Sequence, residues 1–395
     1  MNAFLILIDQ IISIYLYTLI VYVILTLLIQ YDFINRYNRL VDKIVRALIA
    51  LHEPLLIQVR RFVPFIGGMD FSPVIVILLL SFFRNLIKQN LGIWEIYLIN
   101  NLDKIIDGKL SACNFLLEVS KRVNDFENLY DRPPCLAVII VGNDTASKIY
   151  VKNKIKTAKK INVKSIEIIL PKEITEKDLL EQIDILNDNE LVDGILVQLP
   201  LPKHFLSNNV TNKILPLKDV DGFHPLNFGN LCLGNEAIVP CTPLGCLYLI
   251  KNEIKNLSGY NVTIVGRSNI VGKPMQALLI KENCTVTLTH SRTRSLVNIT
   301  KKADILISAI GRPEYITKEY IKPNSIIIDV GINRVVEKGK NKLVGDVKFE
   351  EACQLAKKIT PVPGGVGPMT IACLMYNTVK ASFLRKKKEF KEIIF

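Results

Sequence analysis

The sequence predicts an α/β part built on parallel sheet, preceded by an α-helical membrane segment. Three observations predict it. Residues 10–31 carry no charge and are dominated by Leu, Ile, Val and Tyr. Beyond residue 105, short apolar runs alternate with stretches of helical length, the pattern of parallel sheet with crossover helices. Further on, Val262-Thr263-Ile264-Val265 runs into a glycine turn and then a helix, an arrangement that places backbone N–H groups against phosphate.

A chain of 395 residues has room for two or three domains. Its 49% hydrophobic content is concentrated before residue 100, so two unlike parts share one chain. The eight cysteines form no CxxC pair and have no histidine at metal-ligand spacing. That predicts reduced thiols, no metal site and a cytosolic location for the second part. A net charge of +13 suits nucleic acid, anionic lipid or an acidic small molecule. No nucleic-acid motif accompanies it and the lysines are dispersed, which leaves lipid headgroups and anionic small molecules.

Gln10–Tyr31 is long enough to cross a bilayer core, which takes roughly 20 residues. A cleavable signal peptide competes poorly, because there is no basic leader, Asp9 interrupts the start and no small-residue cleavage site follows. The second apolar run, Phe71–Phe83, is short and fits a re-entrant or interfacial segment as well as a span. Between the runs, Arg36–Leu51 sets Arg39, Lys43 and Arg46 on one helical face against Val41, Ile44, Val45 and Leu48 on the other, a pattern suited to a membrane surface. Glu53-Pro54-Leu55-Leu56, followed by Arg60-Arg61-Phe62-Val63-Pro64-Phe65-Ile66-Gly67-Gly68-Met69-Asp70-Phe71-Ser72-Pro73, resembles the YggT family of small bacterial membrane proteins over nearly all of residues 1–95. The resemblance implies contact with a lipid bilayer and assigns no chemistry.

Residues 96–104 read as a linker. Strands are then expected at Cys135–Val141, Val163–Leu170 and Gly194–Leu199. The helix after the first, about Ala146–Ile161, carries lysines 148, 152, 156, 159 and 160 along one solvated stripe. Lys154 stands about 200° from Lys152, at 100° per residue, among Ser147, Tyr150, Val151, Ile155, Ala158 and Ile161. A lysine on the apolar face either snorkels to the surface or sits in a cleft where partial desolvation lowers its pKa and permits proton transfer. Tyr150, one turn earlier, shares that face and would otherwise be a core tyrosine.

Ser147-Lys148-Ile149-Tyr150-Val151-Lys152-Asn153-Lys154-Ile155-Lys156 resembles the signature of the bifunctional methylenetetrahydrofolate dehydrogenase/cyclohydrolase (FolD) family. Asp193–Pro202, Lys218–Pro225 and Pro361–Thr370 match its other blocks, in the family's order, over about 280 residues. The resemblance implies that Lys154 is the general acid/base of the cyclohydrolase step and that Gln198 orients it. It makes Tyr150 the ring that stacks on folate and Asp221 the carboxylate that binds the pterin edge. An ionised carboxylate can accept from a pterin's adjacent amino and ring N–H groups together. Without the family, Gln198 is ambiguous at the end of an apolar strand and Asp221 is a turn aspartate. His224 and His290 lack metal partners and read as structural.

In the second half, Gly266-Arg267-Ser268-Asn269-Ile270-Val271-Gly272 departs from GxGxxG, with Ser268 at the middle glycine and the last glycine displaced. The FolD family carries this GxSxxxG variant. About two dozen residues on, where an NAD enzyme usually places Asp or Glu, the chain reads Ser291-Arg292. With Arg267 in the glycine loop, these donors suit a 2′-phosphate and predict NADP, although Arg292 and Arg294 also fit a solvated surface. Further strands are expected at Ala303–Ala309 and Ser325–Val330. The Pro361–Thr370 block precedes a last helix, Met369 to about Leu384, and combines flexible glycines with φ-fixing prolines. The resemblance places Pro363, Gly364 and Gly365 with the folate and Ile332 with the cofactor.

The expected architecture is therefore a membrane segment (1–95), a folate-binding α/β domain (103–240, completed by a helix at about 367–386) and a Rossmann-type NADP-binding domain (241–366). The family implies oxidation of 5,10-methylenetetrahydrofolate and hydrolysis of the product to 10-formyltetrahydrofolate by a homodimer, with the catalytic part in the cytoplasm. The alternative is a membrane scaffold whose second part only binds folate or nucleotide.

Overall fold

The computed structural model describes residues 2–30, 34, 39–61, 70–90, 102–337 and 340–393. The predicted linker through residue 101, Arg36, and the stretch from Phe62 to Met69 lie outside the described residues. The chain divides into two compact units, Met1–Leu102 and Asp103–Phe395.

The described residues of the first unit form three long helices: α1 (Asn2–Gln30), α2 (Arg39–Arg60) and α3 (Ser72–Asn90). The helix expected to end at Leu51 continues through Pro54 to Arg60. The three helices close on a small core of Leu19, Tyr22, Leu56 and Val76. Beside that core runs a polar network. Tyr22 Oη donates to Glu53 Oε1 at 2.6 Å, and Arg60 bridges Glu53 and Asp70 at 2.7 Å each. Asp70 also accepts from the Ser72 backbone N–H at the start of α3. The outer faces are bare and apolar, with Ile14, Tyr17, Leu78 and Phe82 all more than half exposed. Charge inside and hydrocarbon outside reverses the ordering water imposes. Gln10–Ile29 is, among the described residues, the one helix long and apolar enough to cross a membrane, and the apolar part of α3, Ser72–Asn85, is shorter.

The second unit begins with α4 (Gly108–Tyr130), which the sequence reading did not anticipate. Asp107 caps it by accepting from the Lys109 and Leu110 N–H groups, which have no partner inside the helix. Ala112, Phe115, Val119, Val123 and Phe126 recur at three- and four-residue spacing and form its buried stripe. After it come β1 (Cys135–Val141), α5 (Thr145–Lys160), β2 (Lys164–Leu170), α6 (Glu176–Asp188) and β3 (Gly194–Val197). These strands make a parallel sheet of order β2-β1-β3. The central strand β1 is buried at every position, as its unbroken apolar run requires. Short helices α7 (Ser207–Lys213) and α8 (Pro225–Leu233) then lead to α9 (Cys241–Glu253).

The second sheet is also parallel. It is built from β4 (Asn261–Val265), β5 (Thr285–Thr289), β6 (Ile305–Ser308), β7 (Ile326–Asp329) and β10 (Lys358–Ile359) in the order β10-β7-β6-β4-β5. Between them lie α10 (Gly272–Lys281), α11 (Leu296–Thr300), an antiparallel hairpin of β8 (Asn333–Glu337) and β9 (Lys340–Val344), and α12 (Phe349–Leu355). The hairpin is a second element absent from the expectations. The closing helix α13 (Val366–Arg385) begins three residues earlier than expected and is buried along most of its length. It packs on α4, α5 and α9, and its Phe383 meets Phe126 edge-on at 5.4 Å between ring centroids.

In both sheets the chain leaves an interior strand, β1 or β4, adds a neighbour on one side and crosses to the other. The reversal falls between β1 and β3 in the first sheet and between β4 and β6 in the second. Ligands of open parallel sheets bind at such points, outside the carboxyl ends of the strands.

Candidate active site

The first reversal point gathers the predicted catalytic residues. Lys154, on the inner face of α5, is only 6% exposed, so it does not snorkel to solvent. Its Nζ donates to Gln198 Oε1 at 3.0 Å, just past the end of β3, and sits 5.3 Å from the centre of the Tyr150 ring. Gln198 is itself fixed, its Nε2 donating to the Leu199 carbonyl at 2.6 Å. The amide oxygen is thereby turned toward the lysine. Burial lowers the Lys154 pKa, and the negative charge of Asp221 opposes that shift. Burial, with help from the Cys241 and Asp221 charges, pushes the Tyr150 hydroxyl up to about 12 and keeps it neutral.

Asp221 is half-buried at the same point. Burial raises its carboxyl to about 6, Lys154 pulls it down, and the neighbouring Asp219 adds to the rise. No protein group among the described residues donates to this carboxylate, which leaves both oxygens free to accept. The turn that carries it is built with care. Ile195 N–H donates to the Lys218 carbonyl at 2.7 Å, continuing β3 alongside the turn. Lys218 is buried and spends its ammonium on the carbonyls of Leu186, Asn187 and Asn189 at the end of α6. Asp219 accepts from Gly222 N, His224 N and the Asn227 amide. Gly222 has φ +73°, and a Cβ there would meet the Pro240 nitrogen at 2.6 Å, so only glycine lets the turn lie on the Ile238–Pro240 backbone.

Several residues of this site went unremarked in the sequence. Asp219, Asn377 and Cys241 each look like an ordinary turn, helix or core residue until the fold brings them together. Cys241 is buried, its thiol pushed well up by burial, and it lies 3.3 Å from the Val220 carbonyl. His224 caps α8 through Nδ1, which accepts from Leu226 N–H, in keeping with a structural histidine.

The second reversal point holds the predicted nucleotide residues. A Cβ on Gly266 would meet the Ala309 carbonyl at 2.2 Å, and one on Gly272 would meet the Gly266 carbonyl at 2.0 Å. Both glycines are therefore demanded by backbone contact, and they bring the β4 loop, the β6 loop and the start of α10 together. Ser268 Oγ accepts from the Val271 and Gly272 N–H groups at 3.2 and 3.4 Å, so this serine organises the turn that a middle glycine would leave open. Arg267, Ser268, Ser291 and Arg292 are exposed, and neither guanidinium has an ion-pair partner among the described residues. His290 Nδ1 accepts from Arg292 N–H, which shapes the loop after β5.

A pair of buried aspartates braces the rest of this lobe. Asp346 accepts from the backbone N–H groups of Ile310, Gly311 and Arg312 and from the Asn333 amide. Asp329 accepts from Gly331, Asp346 and Val347 N–H, and burial pushes its carboxyl up to about 7. Ile332 is 55% exposed, and its Cδ1 lies 4.0 Å from where a Cβ on Gly367 would stand, next to the loop of Pro363, Gly364 and Gly365. Gly364 has φ +113°, and Gly365 caps α13. The donors fit a dinucleotide bearing an additional phosphate: close backbone approach at Gly266 and Gly272, two unpaired guanidiniums, and no acid at the end of β5.

A dinucleotide-binding lobe beside an α/β lobe with a buried lysine–glutamine pair is the arrangement of a nucleotide-dependent enzyme. The chain belongs to the tetrahydrofolate dehydrogenase/cyclohydrolase family, FolD. The family's catalytic-domain model matches residues 106–221, its NAD(P)-binding-domain model matches residues 240–386, and a CCB3/YggT model matches residues 1–91. The bifunctional protein FolD of Cereibacter sphaeroides is 53% identical over 278 residues, covering 70% of this chain and 94% of that protein. That of Ehrlichia canis is 52% identical over 280 residues, covering 70% and 93%. Among solved structures, the bifunctional FolD of Campylobacter jejuni is 44% identical with a TM-score of 0.68, covering 71% of this chain and 99% of its own. The Trypanosoma brucei FolD, complexed with NADP cofactor and an inhibitor, is 36% identical with a TM-score of 0.69, covering 72% and 98%.

Proposed function

We propose that this chain oxidises 5,10-methylenetetrahydrofolate to 5,10-methenyltetrahydrofolate with NADP and hydrolyses the product to 10-formyltetrahydrofolate, at a single site beside the Lys154–Gln198 pair. The observation that carries the reading is that pair: a buried amine with a lowered pKa, oriented by a fixed amide, in a chain more than 50% identical to bifunctional FolD proteins. The bound nicotinamide supplies the hydride acceptor, and the protein's part in that step is orientation. Arg267, Ser268, Ser291 and Arg292 would hold the phosphates, with Gly266 and Gly272 allowing close approach and Ile332 packing near the ring.

Tyr150 presents its ring to the folate and Asp221 accepts from the amino and ring N–H groups of the pterin. The Pro363-Gly364-Gly365 loop would supply further folate contacts. In the hydrolytic step Lys154, held by Gln198, takes the proton from the attacking water as it adds to the methenyl carbon. It returns a proton to the ring nitrogen as the C–N bond opens, and the hydroxyl of the hydrated carbon releases its proton to solvent as the formyl C=O forms. A lowered pKa makes it easier for one amine both to take and to give the proton.

The domain division is part of the same reading: residues 103–240 with α13 as the folate lobe, and residues 241–366 as the nucleotide lobe. Residues 1–95 hold the enzyme at a lipid bilayer, with the catalytic unit in the cytoplasm. Support comes from the CCB3/YggT match, the apolar Gln10–Ile29 helix and the apolar outer faces of α1 and α3. The homodimer rests on the family resemblance alone, and sedimentation of the detergent-solubilised chain tests it. Assay of the purified chain with methylenetetrahydrofolate and NADP tests the activity. Nucleotide binding without turnover would favour the scaffold reading instead.

A further inference from the structure

We propose that Asn377, on the buried face of α13, is a positioning residue for the folate carboxylate Asp221. The proposal rests on the reading of Asp221 as the pterin-binding group. Asn377 is fully buried, and its Nδ2 donates at 2.8 Å to the carbonyls of both Val220 and Val239. Val220 immediately precedes Asp221. Val239 lies on the segment against which Gly222 packs, two residues before Cys241. One amide therefore clips together the turn that bears Asp221 and the backbone that supports it, from a helix more than 130 residues away in sequence.

The clip is asymmetric. Both N–H hydrogens of the amide are used, while Oδ1 is buried without a hydrogen-bond partner. The unpaired Oδ1 costs stability and offsets part of what the two donated bonds contribute. What asparagine offers is two donors fixed in one plane, which sets the spacing of two carbonyls. The Val220 carbonyl is further pinned by the Cys241 thiol at 3.3 Å, and Cys241 lies 3.5 Å from Asn377 Nδ2. On its other side the turn continues β3, which leads to Gln198. Asp221 is thus held between α13 and the strand that carries the lysine's partner.

The test is a double-mutant cycle in the full chain purified in detergent, with Asn377→Ala, Asp221→Asn and the double variant. The KM for methylenetetrahydrofolate, the KM for NADP, kcat and Tm are read for each. Asn377→Ala should raise the folate KM by about fivefold or more, a scale ordinary for coupled neighbours, with the NADP KM unchanged. That increase should disappear in the Asp221→Asn background. An unchanged folate KM, or an increase that persists undiminished without the Asp221 carboxylate, overturns the proposal. Asp221→Asn alone with a normal folate KM would overturn the reading of Asp221, which is a different failure. Should Asn377→Ala not fold, Asn377→Ser, which can donate to one carbonyl, carries the same cycle. Misfolding of both would make Asn377 a residue of the fold alone and overturn the proposal as well.

Discussion

Lys154 Nζ donates to Gln198 Oε1 at 3.0 Å, joining the inner face of α5 to the end of β3 across 44 residues of sequence. The bond leaves the amine buried and oriented, with its pKa lowered by that burial. Replacing Lys154 with Met keeps the length and apolar stem of the side chain and removes the proton carrier. Methenyltetrahydrofolate hydrolysis should fall by a factor on the order of 10² or more, the contribution usual for a positioned acid–base group. Folate binding, measured on the same preparation, should change far less. Near-normal hydrolysis would remove Lys154 from the mechanism.

NADP should be preferred over NAD by at least about tenfold in kcat/KM, roughly 1.4 kcal/mol of discrimination. Arg267→Ala should narrow that ratio by raising the NADP KM more than the NAD KM. Equal use of the two cofactors by the unaltered chain would contradict the assignment of Arg267 and Arg292 to the additional phosphate.

The Asp221 carboxyl, raised to about 6, predicts a pH limb and its sign. Pterin recognition uses the ionised form, so the folate kcat/KM should fall as pH drops through about 6. Stability runs the other way. A carboxyl whose folded pKa lies above its ordinary value of 3.8 favours folding at low pH and loses that contribution as pH rises toward 6. Asp221→Asn should therefore abolish the limb in folate binding and raise Tm at pH 7 relative to the parent, with little difference at pH 3. A Tm lowered at pH 7 would show that the ionised carboxylate is stabilised by partners the structure does not contain.

Protease added to sealed right-side-out spheroplasts should leave residues 105–395 intact until the membrane is opened, because reduced folates and NADP are cytosolic. Counting charges between the apolar runs points the opposite way for a two-span topology. The conflict is removed if only Gln10–Ile29 spans and the shorter Ser72–Asn85 stretch does not, because one span leaves both the arginines and the catalytic unit inside. Digestion of the catalytic unit from outside would overturn the topology, and recovery of the full chain in the soluble fraction would overturn the membrane attachment.

Much of the fold was legible because its strands are unbroken apolar runs. Cys135–Val141 was read to the residue, and the strands near Lys164, Asn261 and Ile326 to within one or two. Lys154 was legible from helical phase alone, since a lysine on an apolar face contradicts its surroundings. The roles of Gln198 and Asp221 came from the family resemblance, because an amide after a strand and an aspartate in a turn are common. Helix α4 went unpredicted although its buried stripe keeps regular helical spacing, and the β8–β9 hairpin escaped because its strands are polar and short. Asp219, Asp329, Asp346 and Asn377 were invisible for one reason. Each acts by bonding to backbone groups that only the folded chain brings near, and that leaves no periodicity to read.

The chain enters the catalytic unit along Asp103–Asp107, and there it is sewn to the nucleotide lobe. Lys104 Nζ donates to the Cys353 carbonyl at the end of α12, Ile106 N–H donates to the Ile359 carbonyl of β10 at 2.9 Å, and a Cβ on Gly108 would collide with the Gly365 carbonyl at 1.8 Å. These stitches lie within a few residues of Pro363-Gly364-Gly365. A load arriving along the polypeptide at Asp103 is therefore borne beside the Pro363-Gly364-Gly365 loop and not at a remote surface. Mechanically, the entering chain and the Pro363-Gly364-Gly365 loop share one fastening.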